Sequence, residues 1–318
     1  MLQTLHAAWS GRRVLLLDDC GSMTRFLHTL LLQLGARPAC LPLGAGSEAL
    51  ARALTDGRVC CLIVPCLRAL TGGLSDQLHA LDGILMEARE AGVPLAMLLS
   101  DENVYRAAHH PWLVREDDPV GGETRAGLVH ALLQLFADGV NRGLLGDPVH
   151  VLCVRHMPCL GCGHPDVAAY DRWCQAFAQG EPLCVPQPDA QGVFLHPLDV
   201  CAGSLLLGAR FLLGDIGCTG PFNLAVSGEN CMPNRTAALR LCRRIGYTRP
   251  LLEAEPSPPH RLVLPDGSRT RRLCGAYPRI AADEALSQLW ALSCAAKEGG
   301  AALEQAISAQ AEAYLSAL

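Results

Sequence analysis

Lysine is almost absent from this sequence. The 318 residues include a single lysine, Lys297, near the C-terminal end, and arginine supplies the other fixed positive charges. Every mechanism that needs a lysine ammonium earlier in the chain is therefore excluded by inspection.

Long basic segments and long apolar runs are missing as well. The net charge is -5, which argues against nucleic acid as a partner. No run of about 18 apolar residues is uninterrupted, which argues against a membrane span. The first segment, MLQTLHAAWSGRR, lacks the basic-then-apolar order of a signal peptide. We therefore expect a cytoplasmic protein that binds neither nucleic acid nor membranes.

Cysteine, by contrast, is abundant. The chain has 16 cysteines, many of them inside apolar segments such as VCCLIVPC (Val59–Cys66). In a cytoplasmic chain this placement favours reduced, buried thiols over a disulfide framework. Half of the residues are hydrophobic, so the chain can bury a large core in two lobes or in one large α/β unit.

Strand and helix patterns alternate through the first half of the sequence. This order predicts a Rossmann-like, doubly wound α/β fold, in which helices cover both faces of a parallel sheet. The rhythm changes near residue 157, so we expect a first domain at 1–157 and a smaller C-terminal region at 158–318. A strand near 220–226 is expected to return to the main sheet. The predicted strands of that sheet are Arg12–Asp19, Ala36–Leu43, Val59–Pro65, Val93–Ser100, His150–His156 and Gly220–Val226.

Several short segments follow one another in an order typical of a known family. They are SDENVY (from Ser100), VRHMPCLGCG (from Val154), VFLHPLDV (from Val193), GPFNLAV (from Gly220) and PDGSRTRRLCGAYP (from Pro265). In this order they resemble the extended short-chain dehydrogenases/reductases, in particular the NAD-dependent nucleotide-sugar epimerases and dehydratases. The resemblance runs from Val14 to Trp290, and it implies NAD(P) as cofactor and a nucleotide-sugar-like substrate.

The dinucleotide motif of that family is eroded here. The family has G-x-x-G-x-x-G after the first strand, where the glycines let the backbone approach a pyrophosphate. This chain has DDCGSMT, in which Gly21 remains while Asp18 and Thr24 replace two glycines. The resemblance assigns Asp18, Gly21 and Ser100 to a vestigial cofactor site, and we expect NAD(P) binding to be weakened or lost.

The catalytic positions have changed too. The family's Ser or Thr falls on Asp101, which accepts hydrogen bonds but donates none when ionised. The family's Tyr-x-x-x-Lys pair would lie in 119–130, a segment that contains neither residue. We expect a pseudoenzyme with a binding or regulatory role. The alternative is an active epimerase or dehydratase with an altered site that uses Asp101 or Glu102.

Some substrate-side positions are kept. The resemblance assigns substrate binding to Arg155, His196 and Asn223, whereas the family's loop asparagine falls on Pro158 and its diphosphate-binding arginine on Gly192. Members of the family commonly dimerise through the helices after the fourth and fifth strands. The helix at 126–137 keeps four leucines, so the resemblance also predicts a homodimer.

Three polar clusters have competing interpretations. His156, Cys159, Cys162 and His164 contain the two histidines and two cysteines of a closed zinc site, although an ordinary loop is favoured and no metal is expected. A second cluster, which follows the fourth strand, is either an acid–base group or a solvated loop, and it consists of Asp101, Glu102, His109 and His110. The third cluster, Glu116–Asp118, is expected to be an exposed acidic loop.

Overall fold

The computed structural model describes residues 1–18, 21–65, 70, 72–106, 113–122, 124–144, 146, 149–160, 168–253 and 262–318. The strands are β1 Arg13–Asp18, β2 Arg37–Pro42, β3 Val59–Val64, β4 Leu95–Asp101, β5 Leu113–Val114, β6 His150–His156, β7 Leu183–Val185, β8 Gln191–Val193, β9 Gly220–Asn223, β10 Cys231–Pro233, β11 Leu251–Glu253 and β12 Leu264–Pro265. The helices are α1 Leu2–Trp9, α2 Ser22–Gln33, α3 Ser47–Thr55, α4 Leu74–Glu90, α5 Arg125–Asn141, α6 Ala168–Gln179, α7 Pro197–Leu212, α8 Asn234–Ile245, α9 Ser268–Cys274, α10 Ala282–Glu298 and α11 Gly300–Ser316.

The centre of the fold is a six-stranded sheet in the order β2-β1-β3-β4-β6-β9, with every neighbouring pair parallel. The prediction of a doubly wound α/β fold is therefore confirmed. The order from β2 to β6 is one of the two common doubly wound arrangements, in which the strand order reverses between β1 and β3. Ligands of such sheets bind outside the carboxyl ends of the strands.

The central strands are continuous apolar runs because both of their faces are covered. All seven residues of β4 are buried, and five of the six residues in β3 are buried. This uniform burial is typical of parallel strands between two helix layers. The proline-containing strand β2 lies at the edge of the sheet, where a missing backbone donor is tolerated.

Each face of the sheet has its own apolar core. One core lies under α1, α2 and α7, and it is fixed in part by the indole nitrogen of Trp9, which donates to the carbonyl of Leu205 at 3.1 Å. The other core lies under α3, α4 and α5. The residues of β6 alternate between the two: Leu152 and Val154 belong to the first core, while Val151 and Cys153 belong to the second.

The C-terminal half returns to the sheet as predicted. Strand β9 pairs in parallel with β6, whereas the shorter strands form two-stranded ladders outside the main sheet. The last helix, α11, packs against α2, where Arg25 and Glu304 form an ion pair at 3.1 Å. The division into two domains stays a prediction. Within the described residues, no helix is long and apolar enough to cross a membrane.

Candidate functional site

Polar side chains meet where β4, β6 and β9 end. In the parallel register, Ser100 is the partner of Arg155, which in turn is the partner of Asn223. Residues in register on neighbouring parallel strands point to the same face of the sheet. All three side chains are at least nine-tenths buried, so they form a buried polar row at the carboxyl edge.

Arg155 is the centre of this row. Its Nε donates to Oε1 of Gln134 at 2.6 Å, and its Nη1 donates to the hydroxyl of Tyr105 at 2.7 Å and to the carbonyl of Glu116 at 3.1 Å. The guanidinium carbon also lies 4.8 Å from the centre of the Tyr105 ring. Gln134 in turn donates to the hydroxyl of Ser100 at 2.7 Å. Helix α5 and the three strands thus hold one rigid guanidinium.

Asn223 joins the same network from the neighbouring strand. The Tyr105 hydroxyl donates to Oδ1 of Asn223 at 2.6 Å, and Nδ2 of Asn223 donates to the carbonyl of Val114 at 3.0 Å. Burial raises the pKa of Tyr105, so the phenol keeps the proton that this bond requires. The backbone N–H of Asn223 donates to the carboxylate of Glu116 at 2.9 Å. The prediction of an exposed acidic loop is therefore wrong for Glu116, whose side chain ties this loop to β9.

A buried carboxylate–imidazole pair lies beside this row. Asp101, at the end of β4, places Oδ2 at 3.4 Å from Nδ1 of His130 on α5, and both side chains are about 95% buried. The contact is close, but it lacks the geometry of a full hydrogen bond. The helix can approach the strand end because residue 127 is a glycine: a Cβ at Gly127 would collide with the carbonyl oxygen of Asn103.

The sequence prediction included Asp101 but missed His130. The one local signal is a histidine within an otherwise apolar helical pattern, and such a residue is ordinarily part of a core. The contact with Asp101 depends on the approach of α5 to β4, and the sequence gives no measure of that approach. The second predicted carboxylate, Glu102, is 8% exposed and begins the turn after β4.

His196 lies apart from Arg155 and Asn223. It is the N-cap of α7, where its Nδ1 accepts a hydrogen bond from the backbone N–H of Leu198 at 3.1 Å. Its ring contacts Phe26 of α2, which belongs to the core on the opposite face of the sheet from Arg155. Burial lowers the pKa of His196 to about 3, so the imidazole is neutral. The structure thus brings two of the three predicted substrate residues together and separates the third.

The turn between β1 and α2 is the place where a dinucleotide pyrophosphate would lie in this type of fold. Asp18 ends β1, and Gly21 is the N-cap of α2. Behind this N-cap, the first turn of α2 is closed: Thr24 is 3% exposed, and the sulfur atoms of Met23 and Cys201 are 3.1 Å apart. The predicted cofactor residue Ser100 lies on β4 instead, where its hydroxyl is bound by Gln134.

The predicted zinc cluster is described only in part. Nδ1 of His156 lies 2.7 Å from the carbonyl oxygen of Met157, and the sulfur of Cys159 lies 3.9 Å from the same nitrogen. Cys162 and His164 lie outside the described residues, as do His109 and His110 of the second cluster. In the part of the chain that is described, no group of three or more His, Cys, Asp or Glu side chains could hold a metal ion.

The fold is similar to that of solved sugar-nucleotide epimerases. UDP-glucose-4-epimerase from Stenotrophomonas maltophila, with bound NAD and formylated UDP-arabinopyranose, matches with a TM-score of 0.72 at 15% identity, over 91% of this chain and 99% of that one. An epimerase from Methanothermobacter thermautotrophicus matches with a TM-score of 0.70 at 14% identity, over 91% and 94%. UDP-glucuronic acid 4-epimerase from Bacillus cereus, in complex with NAD, matches with a TM-score of 0.69 at 14% identity, over 92% and 99%.

These likenesses define the class of fold. The chain has the Rossmann-like fold that these epimerases share, and the match covers almost the whole length of this chain and of each solved structure. No model of a known protein family matches the sequence, and no curated protein is significantly similar to it. At identities of 14–15%, the similarity concerns the fold, and the activity has to be argued from the residues.

Proposed function

We propose that this protein binds a nucleotide-sugar-like small molecule at the carboxyl edge of its sheet and does not perform the NAD-dependent redox step of the epimerases. The observation that carries the proposal is the position of the only lysine. Lys297 lies on α10, with its ammonium 5.8 Å from the ring of Trp290. No lysine is therefore available on α5 to lower the pKa of an acid–base group, and no tyrosine occurs between Tyr105 and Tyr170.

The turn between β1 and α2 supports the same proposal. A pyrophosphate binds at a helix N-terminus because backbone N–H groups and the helix dipole face the anion. In this chain Asp18 ends β1, and Thr24 is buried in the first turn of α2. Like charge at the entrance opposes the anion. The residues do not fit a dinucleotide pyrophosphate, so we propose that NAD(P) binds weakly or not at all.

Calorimetric titration tests the proposal. The full chain is titrated with NAD, NADP, UDP-glucose and GDP-mannose, and the absorbance of any bound nicotinamide is followed after the sugar nucleotide is added. We expect saturable binding of at least one sugar nucleotide and no reduction of nicotinamide. Stoichiometric NAD binding with reduction of the bound cofactor would contradict the proposal. If none of the sugar nucleotides bound, the proposal that the ligand is a nucleotide-sugar-like molecule would be wrong.

The Asp101–His130 pair favours a second candidate function, in which the site is an altered acid–base catalyst. If the 3.4 Å contact between Asp101 and Nδ1 of His130 shortened to a hydrogen bond in the ligand complex, it would keep the proton on Nδ1 and leave Nε2 as the basic atom. A neutral imidazole can act as a general base. Asp101 would then orient His130 and not itself act as the base. The pair lies at the end of β4, where ligands of such sheets bind.

Two matched variants separate this candidate from the first. If the pair is catalytic, His130→Gln abolishes turnover of a bound sugar nucleotide, whereas Asp101→Asn lowers it because the imidazole loses its orienting carboxylate. Circular dichroism and calorimetry confirm that both variants fold and bind. Unchanged turnover in both variants, or no turnover in the wild-type protein, would leave the pair without a catalytic role.

A further inference from the structure

A large polar groove lies beside α5, on the face of the sheet opposite α7. Its volume is about 870 Å³, which is within the range of small-molecule sites, roughly 300–1,000 Å³. Strands β6 and β9 form the floor with Cys153, Arg155 and Pro221, and α5 forms one wall with Gln134 and Asp138. The loop at 115–118 and the segment at 266–272 form the other walls.

The floor of this groove holds a buried positive charge. Arg155 is 4% exposed, and its three hydrogen-bond acceptors are an amide oxygen, a phenol oxygen and a backbone carbonyl. None of these acceptors is an anion, and they engage only Nε and Nη1. Nη2 makes no hydrogen bond or ion pair within the described part of the chain. A buried charge is ordinarily paired, because an isolated one is costly to remove from water.

Five acidic residues line the groove, and among the described residues all of them except Asp117 are engaged by other partners. Asp138 pairs with Arg142 at 2.6 Å, the carboxylate of Glu116 accepts from the backbone of Asn223, and Asp118 accepts from the backbone of Arg115.

Asp266 is held in the same way. It accepts from the backbone of Ser268 at 2.9 Å and lies 3.7 Å from Arg115. Hydrogen bonds from Ser268, together with the charges of Arg115 and Arg272, hold the pKa of Asp266 below its usual value. Burial raises the pKa of the Cys153 thiol on the floor to about 12, so the thiol adds no negative charge.

Two further arginines stand on the wall formed by α9. Arg269 lies with its guanidinium carbon 4.1 Å from the ring centre of Phe222, and its Nη1 donates to the carbonyl of Pro221 at 3.1 Å. Arg272 lines the same wall. Planar guanidinium groups match the oxygens of phosphate and carboxylate groups, because each can donate two parallel hydrogen bonds.

We propose that the groove is a binding site for a small oxyanion, a phosphate- or carboxylate-bearing molecule, with Arg155 on the floor and Arg269 and Arg272 on the wall. The site is distinct from the β1–α2 turn, and the proposal does not depend on nucleotide-sugar binding. The Arg155 network holds the guanidinium rigidly, so the ligand meets a donor that is already oriented.

Calorimetry of the full chain with pyrophosphate and with citrate, at constant ionic strength, tests the proposal and distinguishes the two ligand sources. We expect saturable binding of at least one of them at a single site. The double variant Arg269→Gln, Arg272→Gln should weaken that binding about tenfold or more, because each loses a charge-assisted hydrogen bond. Arg271→Gln is the matched control: Arg271 lies on the same helix but stacks over Tyr277 at 4.7 Å, and its loss should leave the affinity unchanged.

Arg155→Lys is a second test of the proposal, at the floor of the groove. It keeps the positive charge but loses the planar fork, so we expect weaker anion binding in a folded protein. The proposal is wrong if neither anion binds saturably. It is also wrong if the double variant binds as tightly as the wild type and the Arg271→Gln control do. Because pyrophosphate and citrate carry no base or sugar, these results are independent of any failure to bind sugar nucleotides.

Discussion

The two faces of the sheet at β6 and β9 differ in what covers them. On one face, Leu152, Val154 and Phe222 pack under α7 and α2 in an apolar core. On the other face, the alternate residues Cys153 and Arg155 border a groove with charged walls. The same two strands therefore face an apolar core on one side, while on the other side their carboxyl-terminal residues form the floor of a polar groove next to the second core. The difference indicates that ligand chemistry is confined to one face at the carboxyl end of these strands.

The largest loss of stability should come from a substitution on the apolar face. Leu152→Ala removes a fully buried side chain, and a change of this kind costs about 2–5 kcal/mol in free energy of unfolding. Urea unfolding of the variant and the wild type measures the loss. Leu32→Ala, on the 53% exposed side of α2, is the control and should change the value by less than about 0.5 kcal/mol. Equal losses of stability in the two variants would show that the core under α7 and α2 is not the main source of stability at Leu152.

A single substitution on the polar face should lower the free energy of unfolding less than Leu152→Ala does. Arg155→Met leaves Gln134 and Tyr105 without a donor, and each such buried group costs about 1–3 kcal/mol. Partial relief comes from burying an apolar chain instead of a charge, so we expect a net loss of about 2 kcal/mol. Urea unfolding measures it. A variant more stable than the wild type would show that the polar row is retained at the expense of stability, which would strengthen a functional interpretation of Arg155.

The pH dependence of stability should reveal two opposing groups at the start of α7. Burial lowers the pKa of His196 to about 3. The folded state therefore binds fewer protons than the unfolded state, and stability rises with pH between about 3 and 6.5. Burial also raises the pKa of Asp199 to about 6, so the folded state binds more protons. For this group, stability falls as the pH rises from about 4 to 6.

When one of the two groups is substituted, the pH dependence of stability should show the contribution of the other group alone. His196→Asn keeps an N-cap side chain and should leave stability falling between about pH 4 and 6. Asp199→Asn should leave it rising over the same interval, at up to about 1.4 kcal/mol per pH unit. Chemical unfolding at several pH values, with the wild type as reference, measures both slopes. Two variants with the same slope as the wild type would show that these groups do not titrate as described.

The fold could be predicted from the sequence because its determinants are local. Apolar runs such as VCCLIV mark buried strands, and each strand of the sheet was anticipated near its observed place. The candidate site could be predicted less completely from the sequence. The position of Asp101 at the end of β4 marks it as a candidate, but the helical pattern of α5 does not distinguish His130 or Gln134. Their roles depend on the distance between helix and strand, which Gly127 sets and which no periodicity reports.

The smallest effect on stability should come from the outer side of α5, which we propose as the contact between two copies of the chain. Leu128 is 47% exposed and Leu135 is 53% exposed, and they stand seven residues apart on one side of the helix. Leu128→Ser should therefore change the free energy of unfolding of the monomer by less than about 0.5 kcal/mol.

The same substitution should have its main effect on association. Burial of exposed leucines between two α5 helices would stabilise a dimer by about 25 cal/mol per Å² of apolar surface, and serine removes most of that surface at position 128. Light scattering after gel filtration should show a wild-type dimer and a Leu128→Ser protein shifted toward the monomer. Leu32→Ser, equally exposed but on α2, should remain dimeric. A monomeric wild type would leave α5 as an ordinary outer helix.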